Sequence, residues 1–140
     1  MNMTAQDVTR RTLLDVQELH TVFEKDGNEV HAVNQVSFDV KEGEILAIVG
    51  ESGSGKSITA MSLLRLIPSP PGRIVGGHVL FNGEDLLDLD DEQIRRLRGR
   101  DIAMIFQEPM TSLNPSLRIG RQLAEPLRVH GSVPKEKVRE

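Results

Sequence analysis

The stretch "IVGESGSGKSITA", residues 48–60, decides the fold of this 140-residue chain. Gly50, Gly55, Lys56 and Ser57 fit the spacing G-x-x-x-x-G-K-[ST] of a phosphate-binding loop, or P-loop. Glycines at these places let the backbone curl so that successive N–H groups converge on one phosphate. The N-terminus of the following helix adds partial positive charge at the same point. The spacing therefore predicts a nucleotide-binding loop between a strand and a helix.

Two side chains of this loop have predicted roles of their own. Lys56 can reach the β- and γ-phosphates of a nucleotide, and the Ser57 hydroxyl can ligate Mg²⁺. The spacing matters because these groups must surround one anion from a single loop. The predicted nucleotide-binding residues of the loop are Gly50, Glu51, Ser52, Gly53, Ser54, Gly55, Lys56, Ser57 and Ile58.

Composition argues against several functional classes. The net charge of -4 disfavours a nucleic-acid partner, and the absence of cysteine excludes disulfides, thiolate metal sites and a thiol nucleophile. The longest clean apolar run, "ILAIV" (45–49), is far shorter than the roughly 20 residues that span a bilayer. The four histidines show no ligand spacing and are expected to be ordinary surface or strand residues: His20, His31, His78 and His130.

Apolar patterning predicts an α/β fold with an antiparallel β-region near the N-terminus. Residues 1–11 are polar and are expected to be a disordered tail. Residues 13–23 and 30–40 read as strands joined by a turn that contains Asp-Gly. The runs "ILAIVG" (45–50) and "DIAMIFQ" (101–107) are typical of strands buried on both faces.

Further along the chain, residues 73–85 predict a strand pair that turns around Gly76 and Gly77. Three helices are predicted, over residues 55–67, 90–99 and 119–131. The last residues, "SVPKEKVRE", open another helix that is too short to be stable alone, so we expect the chain to be a fragment.

Two stretches carry a family resemblance: "GEILAIVGESGSGKSITAMSLLRLIP" (43–68) and "IAMIFQEPMTSLNP" (102–115). They resemble the nucleotide-binding subunits of ATP-binding cassette (ABC) transporters. More narrowly, they are similar to the ATPases of oligopeptide and dipeptide importers, a group that also includes nickel importers. The resemblance implies a P-loop NTPase fold of the ABC type, C-terminally incomplete. Residues 12–140 would then form the N-terminal part of the ABC ATPase domain, from the β-region through the Gln107 loop to the start of the helical region.

The resemblance also implies roles for residues outside the loop. Gln107 matches the glutamine that reaches the Mg²⁺ or the attacking water and senses the membrane subunit, so Lys56 and Gln107 are the predicted catalytic residues. Ser57 and Gln107 are the predicted Mg²⁺ ligands. Phe23 lies where the family stacks an aromatic ring on adenine. The alternatives are a solvated loop glutamine and a core phenylalanine.

The function that the resemblance implies is an ATPase subunit that binds ATP and Mg²⁺ and powers solute import, with peptides favoured over nickel or another solute. Its implied partners are transmembrane permease subunits, a second ATPase subunit and, indirectly, a solute-binding protein. Its implied location is peripheral, at the cytoplasmic face of the inner or plasma membrane.

Three alternatives stay open: a small-molecule kinase or GTPase, an ABC ATPase that transports nothing, and a truncated non-catalytic fragment. The acidic run at residues 85–92 resembles the family's Asp-Glu motif (Walker B), which completes the Mg²⁺ site. It precedes Gln107, however, which is the wrong order for the family. Since the 140 residues contain no recognisable Asp-Glu motif, signature motif or switch histidine, we expect them to be inactive alone.

Overall fold

The computed structural model describes residues 10–107 and 113–131. The chain divides into two compact units, Met1–Asp90 and Asp91–Glu140, which are described separately. In the described ranges the first unit holds four strands and one helix, and the second holds two helices. They are β1 (Thr12–Lys25), β2 (Asn28–Lys41), α1 (Lys56–Leu63), β3 (Gly72–Phe81), β4 (Glu84–Asp85), α2 (Asp91–Leu97) and α3 (Ile119–Val129).

The first unit is built on an antiparallel sheet with the strand order β2-β1-β3-β4. Asp26 and Gly27 join β1 to β2 with positive φ angles of 52° and 75°. A two-residue turn of this kind matches the right-handed twist of the strands that it connects. The predicted N-terminal hairpin is therefore confirmed.

The predicted turn at Gly76 and Gly77 is wrong, because both residues lie inside the continuous strand β3. A Cβ on Gly77, whose φ is +91°, would lie 2.5 Å from the carbonyl oxygen of Glu18 on β1. Glycine is thus present because the neighbouring strand approaches closely. The chain turns instead at Asn82 and Gly83, which have φ angles of 52° and 87°. An Asn-Gly pair is a typical hairpin signal, and the predicted turn at Gly76 and Gly77 did not take it into account.

The core of the first unit lies between this sheet and α1. Val16, Leu19, Val22 and Val79 are each 1% exposed or less. On the helix, the Ser62 hydroxyl forms a buried hydrogen bond of 2.9 Å with the Thr21 hydroxyl. The helix ends at Leu63 rather than at residue 67, and Arg65 just beyond it has a φ of +50° that helical backbone does not adopt.

The two predicted buried strands, 45–50 and 101–107, are also wrong for this structure. Neither is a hydrogen-bonded strand, although Ile102 forms an isolated bridge with Arg98. Ile45 is 96% exposed and Ile105 is 97% exposed. Apolar runs become buried strands only when neighbouring strands pair with them, and no strand of the described part of the chain does so.

The second unit contains α2 and α3. The Gly99 N–H, just after α2, donates to the Ile102 carbonyl at 2.8 Å, and Gly99 has a φ of +82° that suits glycine at a helix end. Helix α3 contains Pro126, and the His130 N–H donates to the Pro126 carbonyl at 3.0 Å, so the prediction of a proline-containing helix is confirmed.

Neither helix in this unit, nor α1, is long and apolar enough to cross a bilayer. The predicted final helix and most of the predicted tail, residues 1–11, fall outside the described residues. The division into a tail and a domain from residue 12 stays a prediction.

Candidate nucleotide-binding site

The P-loop backbone adopts conformations that explain the positions of its glycines. Gly53 and Gly55 have φ angles of +80° and +89°, which L side chains rarely adopt. A Cβ on Gly55 would lie 2.3 Å from the carbonyl oxygen of Ala32 on β2, and one on Gly50 would lie 2.6 Å from the Ser54 hydroxyl. The loop is thus curled tightly and backed by β2, an approach for which the sequence offers no local signal.

The Lys56 ammonium lies inside this curl. Its Nζ donates to the carbonyl oxygens of Gly50 and Glu51, each at 2.7 Å, and to the Ser54 hydroxyl at 3.2 Å. A lysine ammonium has three protons to donate, and all three have an acceptor from the loop. These three bonds hold the ammonium at the loop, and the role of Lys56 toward phosphate stays a prediction.

Helix α1 begins directly at Lys56 and is anchored to the loop. The Thr59 N–H and hydroxyl donate to the Gly55 carbonyl at 2.8 and 3.0 Å. Ser57 is exposed in the first turn, so its hydroxyl is accessible to a ligand. The first turn contains no acidic residue, and its partial positive charge is not compensated by a carboxylate of that turn. The helix end thus favours an anion beside Lys56.

A cleft of about 400 Å³ adjoins the loop. This size lies within the range of small-molecule sites. The loop contributes Gly50, Ser54 and Lys56 to its lining, whereas most of the remaining wall is apolar. That remaining wall consists of Val36, Phe38, Leu46, Ala47, Ile48, Val49 and Thr59. Sequence reasoning did not anticipate Val36 and Phe38, because their place depends on how β2 passes behind the loop.

The two predicted residues outside the loop lie elsewhere in the chain. Gln107 is exposed at a bend of the second unit, after residues without regular secondary structure. Phe23 is half-buried on β1, opposite Val30 on β2 and Gly72 on β3. A Cβ on Gly72 would lie 2.8 Å from Cε1 of Phe23, so the ring packs against the backbone there. The adenine-stacking role of Phe23 and the role of Gln107 stay predictions.

Titratable groups add little to the site. No group of three or more His, Cys, Asp or Glu residues capable of holding a metal occurs in the described ranges. Within the described ranges, Asp85 on β4 has a clearly lowered pKa. Burial alone would raise this pKa, but hydrogen bonds from the Leu87 N–H, the His78 ring and the Val79 N–H together lower it. Asp85 therefore stabilises the β3–β4 turn.

The sequence profile of the ABC transporter family matches residues 33–139. A probable peptide ABC transporter ATP-binding protein of Sinorhizobium fredii is 53% identical over 121 residues, which are 86% of this chain and 36% of that protein. The oligopeptide transport ATP-binding protein of Bacillus subtilis is 49% identical over 129 residues, 92% of this chain and 36% of its own length. The chain thus spans about a third of the length of these curated relatives.

Solved structures show the same fold. A dimeric bacterial ABC transporter cassette matches with a TM-score of 0.71 at 24% identity, over 90% of this chain and 52% of that cassette. A post-hydrolysis state of an ATP-binding cassette, bound to ADP and phosphate, matches with a TM-score of 0.72 at the same identity and coverage. The predicted fold class, an α/β P-loop NTPase of the ABC type, is confirmed. Because the profile covers most of its residues, the chain belongs to the ABC transporter family.

Proposed function

We propose that this chain is part of the ATP-binding subunit of an ABC importer and that the imported solute is a peptide. The observation that carries the proposal is the Lys56 ammonium held inside the curled P-loop by three loop acceptors. Peptides are favoured over nickel or another solute because relatives at 49–53% identity are named as peptide or oligopeptide transport proteins.

The residues of the loop fit the triphosphate of ATP. The left-handed glycines curl the loop and α1 begins at Lys56, so the partial positive charge of the helix start and the full charge of the lysine are available to the same anion. On binding, Lys56 exchanges its loop acceptors for phosphate oxygens, which are stronger acceptors because they are charged. The loop residues proposed to contact the nucleotide are Gly50, Glu51, Ser52, Gly53, Ser54, Gly55, Lys56, Ser57 and Ile58.

Mg²⁺ fits the same site, since the exposed Ser57 hydroxyl is an oxygen ligand of the kind that this ion prefers. Gln107 is the proposed second protein ligand, and its amide can also orient a water molecule. When bound, Mg²⁺ neutralises negative charge on the phosphate oxygens. Phe23 is the proposed stacking partner of the adenine ring.

The proposed partners are permease subunits in the membrane and a second ATPase subunit, with a solute-binding protein acting indirectly. The second subunit is supported by the dimeric state of the matching cassette. The proposed location is the cytoplasmic face of the membrane, where a peripheral subunit reaches both ATP and the permease.

The test is the affinity for Mg-ATP, measured by isothermal titration of the wild-type chain and of Lys56→Ala. Loss of a charge-assisted hydrogen bond costs about 1.5–3 kcal/mol, so affinity should fall roughly 10- to 100-fold. Lys25→Ala, at an exposed lysine of β1, is the matched control and should bind as the wild type does. Equal affinity in wild type and Lys56→Ala would overturn the proposed role of the loop.

A further inference from the structure

Two histidines that are far apart in sequence meet on the β1–β2 hairpin. His20 Nε2 and His31 Nδ1 lie 2.7 Å apart, and the ring centroids are 5.0 Å apart. His31 is exposed and His20 is half-buried, so solvent reaches the pair. Sequence spacing predicts no ligand set here, because the hairpin alone brings residues 20 and 31 together.

The strand register explains how the two rings meet. His31 pairs with Val22, which places it diagonally from His20, and diagonal neighbours on adjacent strands are within reach of long side chains. The register shifts on both sides of Thr21, and such irregularities re-aim side chains. On the other side of β1, His20 faces Gly76, which has no side chain to cover the ring.

We propose that His20 and His31 form a binding site for a divalent transition-metal ion of the zinc, copper or nickel class. Imidazole is a preferred ligand of these ions, and either ring nitrogen can coordinate. The two facing nitrogens lie at hydrogen-bond distance, so one ring donates a proton to the other, in a direction that depends on the tautomers of the rings. A metal ion takes the place of that proton, and water completes the coordination.

The chemistry balances without a net loss of protons from the neutral pair. The ring that donates the shared proton changes tautomer, so that His20 carries its proton on Nδ1 and His31 carries its proton on Nε2. Both facing nitrogens then offer a lone pair. With metal–nitrogen bonds of about 2.0–2.1 Å and tetrahedral geometry, the nitrogens should stand about 3.3 Å apart. Since they now lie 2.7 Å apart, small rotations of the two rings open the site.

Zn²⁺ alone is the probe, titrated into the full chain against a chromogenic chelator. His20→Gln and His31→Gln should each weaken Zn²⁺ binding at least about 10- to 100-fold. Replacing a residue that only hydrogen-bonds to a metal ligand already costs that much affinity. His130→Gln, which removes a histidine of the second unit, is the matched control and should keep the wild-type affinity. Equal binding in wild type, His20→Gln and His31→Gln would overturn the proposal, as would an equal loss in His130→Gln.

A second measurement uses the unmodified chain, so it decides the matter even if a variant fails to fold. Two-bond ¹H–¹⁵N spectra should show Zn²⁺ shifting His20 Nε2 and His31 Nδ1 together, with the protons on the two outer nitrogens. The melting temperature should rise with Zn²⁺ concentration, since a ligand of the folded state stabilises it. Unshifted resonances of either histidine at saturating Zn²⁺ would refute the site.

Discussion

Replacing Gly55 by alanine should destabilise the chain more than the same change at Gly53, although both glycines have nearly equal φ angles. The φ values are +89° and +80°, so an alanine at either position adopts a left-handed conformation, which costs about 1–2 kcal/mol. At Gly53 no atom lies within 4 Å of the added carbon. At Gly55 the Ala32 carbonyl oxygen lies 2.3 Å from it.

The additional cost at Gly55 is steric, because the clashing oxygen belongs to strand backbone that cannot move alone. Ala32 lies within β2 between His31 and Val33, which pair with Val22 and Thr21 of β1, so relief requires a shift of the strand or of the loop. Overpacking of this kind costs about 1–3 kcal/mol, which is the expected difference between the two variants. The total cost of Gly55→Ala is then roughly 2–5 kcal/mol, which is measurable against a typical stability of about 5–15 kcal/mol.

The assay is urea denaturation of wild type, Gly55→Ala and Gly53→Ala, followed by titration with Mg-ATP. Gly55→Ala should show the lower midpoint at an unchanged slope and should bind nucleotide more weakly, because the loop has been displaced from β2. Equal midpoints for the two variants would refute the close approach of Gly55 to β2.

Three other contacts can be tested by single substitutions. Ser62→Ala leaves the Thr21 hydroxyl buried without its partner and should lower the free energy of unfolding by about 1–3 kcal/mol. Thr21→Val should cost less, because Ser62 stays bonded to a helix carbonyl. Equal free energies of unfolding for the two variants would contradict this. Hydrogen bonds hold the pKa of Asp85 below 3.8, so its contribution to stability is full above about pH 4 and is lost as the pH falls through the lower folded pKa. The difference between wild type and Asp85→Asn should therefore shrink on acidification below about pH 4, and growth there would be the opposite result. The family resemblance implies that the segment after Gln107 contacts the permease, so cysteine at the exposed Leu113 should crosslink to the permease of an assembled transporter in a nucleotide-sensitive way. Crosslinks from Arg95→Cys alone would argue against a permease contact at Leu113.

Much of the candidate site could be predicted from sequence because a P-loop is local. Its glycines, Lys56 and Ser57 lie within eight consecutive residues, and both the curl and the helix start depend on the conformations that those residues allow. The Asp26–Gly27 turn was predictable for the same reason, since two residues with positive φ determine the hairpin.

Contacts between distant segments could not be predicted in this way. Gly76 and Gly77 have the composition of a turn, but β1 approaches Gly77 so closely that the pair lies inside a strand. The run 45–50 has the composition of a buried strand, yet a strand is defined by its neighbours, and none in the described residues pairs with it.

By itself, the sequence determined the P-loop, the first hairpin and the family, because each depends on residues whose chemistry acts over a few positions. The tertiary structure alone decided which backbone supports the loop, which apolar run is paired and which histidines meet. Ala32 backs Gly55, and His20 meets His31, only because β2 folds back along β1 with its register shifts. Strand register is a property of two segments together, and neither segment specifies it alone.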